Sequence, residues 1–377
     1  MSPPRIVIIA FSPIASDARV LKQVRLAAAL GEVITCGYGP APDGVAAHHQ
    51  IPDQATLYPL NPRLLVLRQR RRALRQAAAM QWARAALATQ RADAVFVNDL
   101  DAVPLALAVY PAERVHADLH EYTPGLVSHD AGWRRYLAPL YRSIARRELA
   151  RVGSVTTVAP IIRDAYARLS QRDDIDVVIN AAPYSDRAPT AVSTPFRLVH
   201  SGVAQRGRQL ELMIDAVERT TTPVTLDMYL MPNDPAYLDE LRRRADAVAG
   251  VVIHPPVPYA HLGDTLAQGD VGVFVLPPTT QNFEWALPNK LFDFVQARLG
   301  VIIGPSSQMA QYVRGHGLGA VTAEPTAVAL AEALDALTPA TVTEWKAAAD
   351  RAAHELSAEA AEAPWMRALT SRIGGAA

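Results

Sequence analysis

The residues best suited to chemistry stand at the start of one predicted helix. Pro288 suits the first turn, because its missing N–H would have no partner there. Asn289, Lys290 and Asp293 occupy the opening turns. The free N–H groups of a helix N-terminus attract an anion, Lys290 adds a positive charge, and Asp293 can hold two sugar hydroxyls. The pattern fits a ligand with phosphate and ribose; a surface lysine and an aspartate favoured by the helix dipole are the alternative.

Other polar residues follow predicted strands. His120 and Glu121 come directly after the strand predicted at 114–119, although a lone histidine there is commonly a satisfied loop residue. Asp99 and Asp101 form an Asp-x-Asp pattern, but no second acidic cluster accompanies it. A hard metal ion needs several oxygen ligands, so we interpret Asp101 as a helix cap and expect no metal site.

Composition limits the class of protein. A chain of 377 residues, half of them hydrophobic, is long enough for two domains with separate cores. The formal net charge is zero, which argues against a nucleic-acid binder. The charge is uneven, because residues 1–190 hold 23 Lys and Arg against 17 Asp and Glu, and the remainder holds 14 against 20. A single cysteine, Cys36, excludes a disulfide framework, and no signal peptide or membrane span is evident, so we expect a cytoplasmic protein.

Short apolar strands alternate with helices along the chain, which predicts βα units and parallel sheets covered on both faces. In the first half, strands are predicted at 6–11, 32–36, 94–97, 114–119, 154–158 and 176–179, and helices at 17–30, 63–90, 102–109 and 133–151. After a Pro- and Ser-rich loop at 181–195, strands are predicted at 196–200, 224–230, 251–254, 271–276 and 301–303. A helical tail is predicted at 341–373. Ligands of such sheets bind at the carboxyl ends of the strands.

Seven motifs, taken in order, resemble those of GT-B glycosyltransferases and are close to the retaining family 4 enzymes. They are SDARVLKQVRLAAALGEVITCGYG, VNDLDAVPLAL, DLHEYTPG, RRELARVGSVTTVAPIIRDAY and VINAAPYSD, then LVHSGVAQRGRQLELMIDAV and ALPNKLFDFVQARLGVIIG. The resemblance covers nearly the whole chain. It implies an α/β fold with two Rossmann-like domains facing across a cleft and a C-terminal helix crossing back to the N-terminal domain. We place the acceptor domain at 1–185, the linker at 186–195, the donor domain at 196–355 and that helix at 356–377.

The resemblance also implies a site for a nucleotide-sugar donor. Arg208 matches a position where the family carries Lys or Arg and, with Lys290, would neutralise the diphosphate as the catalytic cations. The alternative for Arg208 is a solvated first-turn arginine, although an acidic residue would suit that turn better. His120 matches a histidine that contacts the transferred sugar, and Asp293 matches a carboxylate that binds the ribose. The other donor-binding candidates are Ser201, Gly202, Arg206, Leu287, Pro288, Asn289 and Glu284.

Candidates on the acceptor side lie in the first strand–helix loop and after His120. They are Ser12, Ser16, Asp17, Arg19 and Glu121. Asp17 and Arg19 are either an N-cap followed by a surface arginine or a pair facing the acceptor.

The chain departs from the family pattern at two positions. Val203 stands where the family carries an arginine, with Lys290 and Arg206 as candidate replacements. Trp285 stands where it carries the first of two glutamates, beside Glu284.

Residues 63–75 interleave leucines with six arginines. Such a segment can lie on anionic lipid, so peripheral contact with the inner face of a membrane is one interpretation. A solvated helix that packs its leucines on the sheet is the other.

The favoured function is transfer of a sugar from a nucleotide-diphosphate sugar to a glycan, lipid-linked or small-molecule acceptor. The resemblance implies retention of anomeric configuration, no metal and no cofactor beyond the nucleotide-sugar co-substrate. The alternatives are a catalytically degenerate nucleotide-sugar-binding subunit, which Val203 and Trp285 favour, and a sugar-nucleotide epimerase of the same architecture.

Overall fold

The computed structural model describes residues 3–374, which group into two compact units. One unit contains residues 3–178 and 362–374, and the other contains Ile179–Ala361.

The first unit is built on a parallel sheet of seven strands in the order β3-β2-β1-β4-β5-β6-β7. The strands are Arg5–Pro13 (β1), Glu32–Tyr38 (β2), Ala47–Gln50 (β3), Ala94–Asn98 (β4), Val115–Leu119 (β5), Ser154–Thr157 (β6) and Ile175–Val177 (β7). The helices are Ala18–Ala28 (α1), Pro62–Val66 (α2), Arg70–Arg75 (α3), Ala78–Leu87 (α4), Val103–Val109 (α5), Ala138–Arg147 (α6) and Pro160–Ser170 (α7). The order reverses between β1 and β4, which makes a topological switch point there.

The second unit repeats this arrangement with a six-stranded sheet in the order β10-β9-β8-β11-β12-β13. Its strands are Phe196–Val203 (β8), Val224–Met231 (β9), Val251–His254 (β10), Val271–Phe274 (β11), Gly300–Ile303 (β12) and Gly319–Val321 (β13). Its helices are Glu211–Arg219 (α8), Pro235–Ala245 (α9), Tyr259–Leu266 (α10), Gln281–Glu284 (α11), Asn289–Gln296 (α12), Ser307–Gly315 (α13), Ala327–Asp335 (α14), Pro339–Ala352 (α15) and Ala358–Ala361 (α16). The switch point lies between β8 and β11.

The C-terminal helix Ala363–Gly374 (α17) packs in the first unit, although the chain reaches it from the second. Trp365 is fully buried, and its indole N–H donates to Thr156 Oγ1 at 3.1 Å. The Arg19 guanidinium lies 4.6 Å from the centre of the Trp365 ring. The two Rossmann-like domains and the returning helix are therefore confirmed.

The prediction of one long helix at 63–90 is wrong, because this part of the chain forms the three helices α2, α3 and α4. Arg68 adopts a left-handed φ of 57°. The Gln69 N–H bonds to Leu64 O and the Arg68 N–H to Leu65 O, which is the Schellman arrangement that ends a helix. That position usually holds glycine, so the sequence carries no stop signal there.

Two other predicted helices also divide. Within 133–151 a wide turn at Trp133–Leu137 precedes α6, and the tail predicted at 341–373 forms α15, α16 and α17.

None of the helices formed by residues 3–374 combines the length and apolar character needed to cross a bilayer.

Candidate functional site

The switch point of the second unit holds a buried histidine on β8. His200 is fully buried, and its Nδ1 lies 2.8 Å from Val273 O on the neighbouring strand β11. A carbonyl oxygen only accepts hydrogen bonds, so Nδ1 carries the proton and the neutral ring offers Nε2 as an acceptor. The fold therefore fixes the orientation of this ring.

Lys290, on the first turn of α12, reaches the same place. Its Nζ lies 3.4 Å from His200 Nε2 and 3.8 Å from the centre of the Phe274 ring, an arrangement that favours a cation. A Cβ added to Gly202 would stand 2.8 Å from Nζ, so the glycine leaves room for the amine. Lys290 is buried, and no carboxylate of the described residues pairs with its Nζ.

Arg208 is the third basic group of this cluster. It ends the short turn Arg206–Arg208, and its Nε is buried without a hydrogen-bond partner. No Asp or Glu within residues 3–374 forms an ion pair with it. A buried guanidinium N–H without a partner is costly, and an anion placed here would offset that cost.

The titration behaviour of the cluster follows from its burial and its like charges. Burial, reinforced by Arg208, holds the pKa of Lys290 well below its usual value, and Asp293 opposes this shift. Burial, with Lys290 nearby, likewise holds the pKa of His200 well below its usual value. Burial also lowers the pKa of Arg208. The positive charges of Lys290 and Arg208 oppose each other, and a bound polyanion would offset this repulsion.

Asp293 lies one turn further along α12 and is buried. The Tyr259 hydroxyl stands 3.4 Å from its Oδ1. Both residues line a cavity of about 270 Å³, together with Tyr184 and Gln296. A carboxylate beside a cavity and next to a basic cluster is suited to accept hydrogen bonds from a diol.

The other predicted donor residues divide between this cluster and the surface. Ser201 and Leu287 are buried, Pro288 occupies the N-cap position of α12 rather than its first turn, and Asn289 and Glu284 are exposed. Arg206 is exposed and pairs with Glu240 at 2.9 Å, so the structure does not bring it to Lys290. Sequence reasoning missed His200; its signal is a histidine that directly follows the buried apolar residues Leu198 and Val199.

In the first unit, His120 lies directly after β5, beside the switch point. Its Nε2 is 3.0 Å from Asn98 Oδ1 and 3.3 Å from Asp118 Oδ2. Its Nδ1 is 3.7 Å from Asp99 Oδ2, and its backbone N–H donates to Asp99 Oδ1 at 3.0 Å. Burial opposes the charged ring, but Asp99 and Asp118 outweigh it and raise the pKa of His120.

Asp118 is the centre of a buried network that sequence reasoning did not single out. Its carboxylate accepts from Arg19 Nε and Nη2 at 2.7 Å each, from Gln23 Nε2 at 2.7 Å and from Thr156 Oγ1 at 2.6 Å. Burial would raise the pKa of Asp118, but Arg19 and His120 hold it well below its usual value. The network fixes a negative charge beneath His120.

The predicted acceptor-side residues take several positions. Arg19 is buried against Asp118, which gives it a structural role, and Asp17 caps α1 by accepting from the N–H groups of Arg19 and Val20. Ser12 donates to Asp17 Oδ2 at 2.8 Å, and Ser16 donates to a backbone carbonyl. Glu121 is exposed.

The Asp99–Asp101 segment differs from the prediction at Asp101. Asp101 is not a helix cap, because α5 begins at Val103 with Ala102 at the N-cap position, and Asp101 accepts from the Tyr58 hydroxyl at 2.9 Å. Within residues 3–374, no group of three His, Cys, Asp or Glu side chains has an arrangement suited to a metal ion.

The Asp99→Asn variant should lower the pKa of His120 and keep the fold. Asn retains an oxygen for the His120 N–H and tolerates the left-handed φ of 66° at this position, but it removes the charge. The stability that the raised His120 pKa contributes is present below the usual histidine value and is lost as the pH rises through the raised value. The variant should lack the share that Asp99 supplies and keep the share of Asp118. Histidine ring NMR titration measures the shift, and Asp101→Asn is the control. An unchanged His120 titration would contradict the assignment.

The sequence matches no protein-family model and no curated protein. Solved structures nevertheless match along the whole chain. Sucrose-phosphate synthase from Thermosynechococcus elongatus has a TM-score of 0.71 at 14% identity, with 99% of this chain and 100% of that chain covered. A glycosyltransferase from Rickettsia africae has a TM-score of 0.71 at 10% identity, with 99% of each chain covered. HepE from Anabaena, in complex with UDP-glucose, has a TM-score of 0.70 at 14% identity, with 97% and 99% covered.

At these identities the likeness shows the fold. The order of the motifs, the two Rossmann-type sheets and the full-length matches agree. The chain therefore has the GT-B fold of the glycosyltransferases.

Proposed function

We propose that this protein is a glycosyltransferase that moves a sugar from a nucleotide-diphosphate sugar to a glycan, lipid-linked or small-molecule acceptor. The observation that carries the proposal is the cluster of Lys290, Arg208 and His200 at the switch point of the second unit. Its buried basic groups lack a carboxylate partner among the described residues, and a diphosphate supplies the missing charge. The GT-B fold provides the architecture in which such a site handles a donor.

The chemical role of the cluster follows from the charge that develops in the reaction. When the bond between the anomeric carbon and the donor phosphate oxygen breaks, the departing nucleoside diphosphate gains negative charge. The planar guanidinium of Arg208 can hold two phosphate oxygens, and Lys290 supplies a second charge. The first N–H groups of α12, at Asn289 and Lys290, lack helical partners and complete the set of donors.

Two further residues are assigned to the other parts of the donor, one from each unit. We assign Asp293 to the ribose hydroxyls, because its buried carboxylate lies beside a cavity and one helical turn from Lys290. We assign His120 to the hydroxyls of the transferred sugar, following the motif resemblance. Asp118 and Asp99 orient the imidazole ring of His120 through contacts with its two nitrogens. They also raise the pKa of His120, which favours the charged ring.

The proposal includes retention of anomeric configuration and no need for a metal. The motif resemblance supports retention, in which the acceptor oxygen bonds to the anomeric carbon and its proton passes to the leaving phosphate. The positive charge of Arg208 and Lys290 supports catalysis without a divalent cation or other cofactor. NMR of the product's anomeric proton tests the first point, and turnover in the presence of a chelator tests the second.

A panel of nucleotide sugars tests the function directly. We expect one of UDP-, GDP- or dTDP-sugars to raise the melting temperature and to be hydrolysed slowly without an acceptor. UDP-glucose is the first choice, because the structurally similar HepE was solved with it. Neither binding nor hydrolysis with any member of the panel would overturn the proposal.

A nucleotide-sugar-binding subunit without catalysis is the second candidate. Val203 and Trp285 replace residues of the family's donor-site motifs, which favours it. Tight binding of a donor without turnover would support this candidate, whereas interconversion of two nucleotide sugars would support a sugar-nucleotide epimerase.

We also propose a cytoplasmic location with peripheral contact to the inner face of a membrane through residues 63–75. Val66 and Leu67 are 64% and 65% exposed, among the arginines of α2 and α3. Exposed apolar groups beside positive charges favour an anionic lipid surface. Purified protein that ignores anionic vesicles at low salt would refute this contact.

A further inference from the structure

A cavity of about 470 Å³ lies in the first unit between α3, the turn before it, and α6. Six arginines line it, together with Gln69 from the turn before α3 and with polar and apolar groups of α6. They are Arg68, Arg70, Arg71, Arg72, Arg75 and Arg147. Arg147 comes from α6, far along the chain from the other five, so the tertiary structure assembles this set.

The positive charge of the cavity is largely uncompensated. Of the six arginines, only Arg71 forms an ion pair with a carboxylate of the described residues, and its partner, Glu148, is not part of the cavity wall. Burial lowers the pKa of Arg71, and the nearby Arg147, Arg75 and Arg151 lower it further. The clustering of like charges is unfavourable unless an anion lies among them.

One side-chain feature, at Arg70, and one backbone feature, at Arg68, support the binding of an anion in this cavity. Arg70 Nε is buried without a hydrogen-bond partner, while its Nη2 donates to Arg135 O at 3.3 Å. Arg68 holds the left-handed conformation that a glycine would adopt at lower cost. An arginine therefore stands where helix termination favours glycine.

We propose that this cavity binds a phosphate-bearing group, either a pyrophosphate or a phosphomonoester. Arginine forks match phosphate oxygens in paired hydrogen bonds, and several of them converge here. The site is separate from the Lys290 cluster and does not depend on the transferase proposal. A soluble phosphorylated compound and a lipid headgroup both present this chemistry.

Calorimetry with inorganic pyrophosphate tests the site in the full chain. The Arg208→Gln variant serves as the background, so that binding at the Lys290 cluster does not obscure the result. In this background we expect Arg75→Gln/Arg147→Gln to weaken pyrophosphate binding about ten-fold or more. The matched control is Arg142→Gln/Arg146→Gln, which removes the same charge from exposed arginines outside the cavity. It should change the affinity less than two-fold.

Two results would overturn the site. One is the absence of measurable pyrophosphate binding in the Arg208→Gln background. The other is an equal loss in the cavity and control variants, which would show that only general surface charge attracts the anion. The replaced arginines are exposed, so we expect each variant to keep the fold. Circular dichroism of each variant checks this.

The source of the phosphate is distinguished by two further ligands. Vesicles that contain phosphatidic acid present a phosphomonoester on a membrane, and glycerol 3-phosphate presents it in solution. Binding of either one that is lost in Arg75→Gln/Arg147→Gln, and kept in the control, supports the site and identifies its source. Loss of donor turnover without loss of this binding would affect the transferase proposal alone.

Discussion

Replacing Arg208 with alanine should reduce the rate of donor cleavage by about 10²- to 10³-fold, the effect of removing one preorganised donor of charge stabilisation. Arg208 has a buried Nε without a partner and lies close enough to Lys290 to lower its pKa. Its guanidinium group is therefore available to a diphosphate rather than used by the fold. Hydrolysis of the best donor, with the nucleoside diphosphate measured as product, gives the rate.

Arg206→Ala is the matched control for this experiment. It lies two residues earlier in the same turn, but its guanidinium is exposed and pairs with Glu240 at 2.9 Å. An exposed pair of this kind contributes little to stability. We expect the control to keep the donor cleavage rate within about three-fold. Equal effects of the two substitutions would remove Arg208 from the site.

Replacing Lys290 with methionine should stabilise the empty protein while abolishing donor binding. The buried amine has His200 Nε2 and the Phe274 ring beside it, and no carboxylate of the described residues pairs with it. Replacing a buried basic group that only Asp293 partly offsets with an apolar side chain of similar volume should raise the free energy of unfolding by about 1–3 kcal/mol. Urea unfolding and nucleoside-diphosphate calorimetry measure the two effects. A variant that loses both stability and binding would show that Lys290 serves the fold instead.

The pH dependence of stability gives a second measure of Lys290. Its pKa in the folded protein lies well below the usual value of 10.5, so the unfolded chain binds more protons between these two values. Stability of the wild type should therefore rise with pH in that interval, relative to Lys290→Met. A difference in stability that stays constant between pH 7 and pH 9 would contradict the shifted pKa.

Ligand binding should reverse this proton balance. A diphosphate favours the charged amine, so binding should take up a proton whenever the pH lies above the lowered pKa of Lys290. Calorimetry in buffers with different heats of ionisation measures this uptake, which should vanish in Lys290→Met.

The sequence alone determined the alternation of strands and helices and the GT-B architecture. Parallel strands buried on both faces appear as short apolar runs, such as those of β1 and β4, and these need no tertiary information to be found. The order of the motifs pointed to Arg208, Lys290, Asp293 and His120, because loops at strand ends carry the polar residues of such folds.

The sequence did not show where helices break without a glycine or proline. The left-handed Arg68 ends α2 although arginine favours helices, because the Schellman hydrogen bonds and the surrounding packing outweigh local propensity. For the same reason the helix predicted at 63–90 gave no hint of the cavity that α3 forms with α6.

Only the tertiary structure decided which polar residues act together. Arg19 and Asp118 lie far apart in sequence, yet they form a buried ion pair beneath His120. His200 on β8 likewise contacts Lys290 on α12, 90 residues later in the chain. Arg206 and Arg208 are chemically alike and two residues apart, but one pairs with Glu240 and the other is left without a partner. Periodicity assigns residues to elements, whereas the cost of burying an unpaired charge depends on neighbours that only the folded chain brings together.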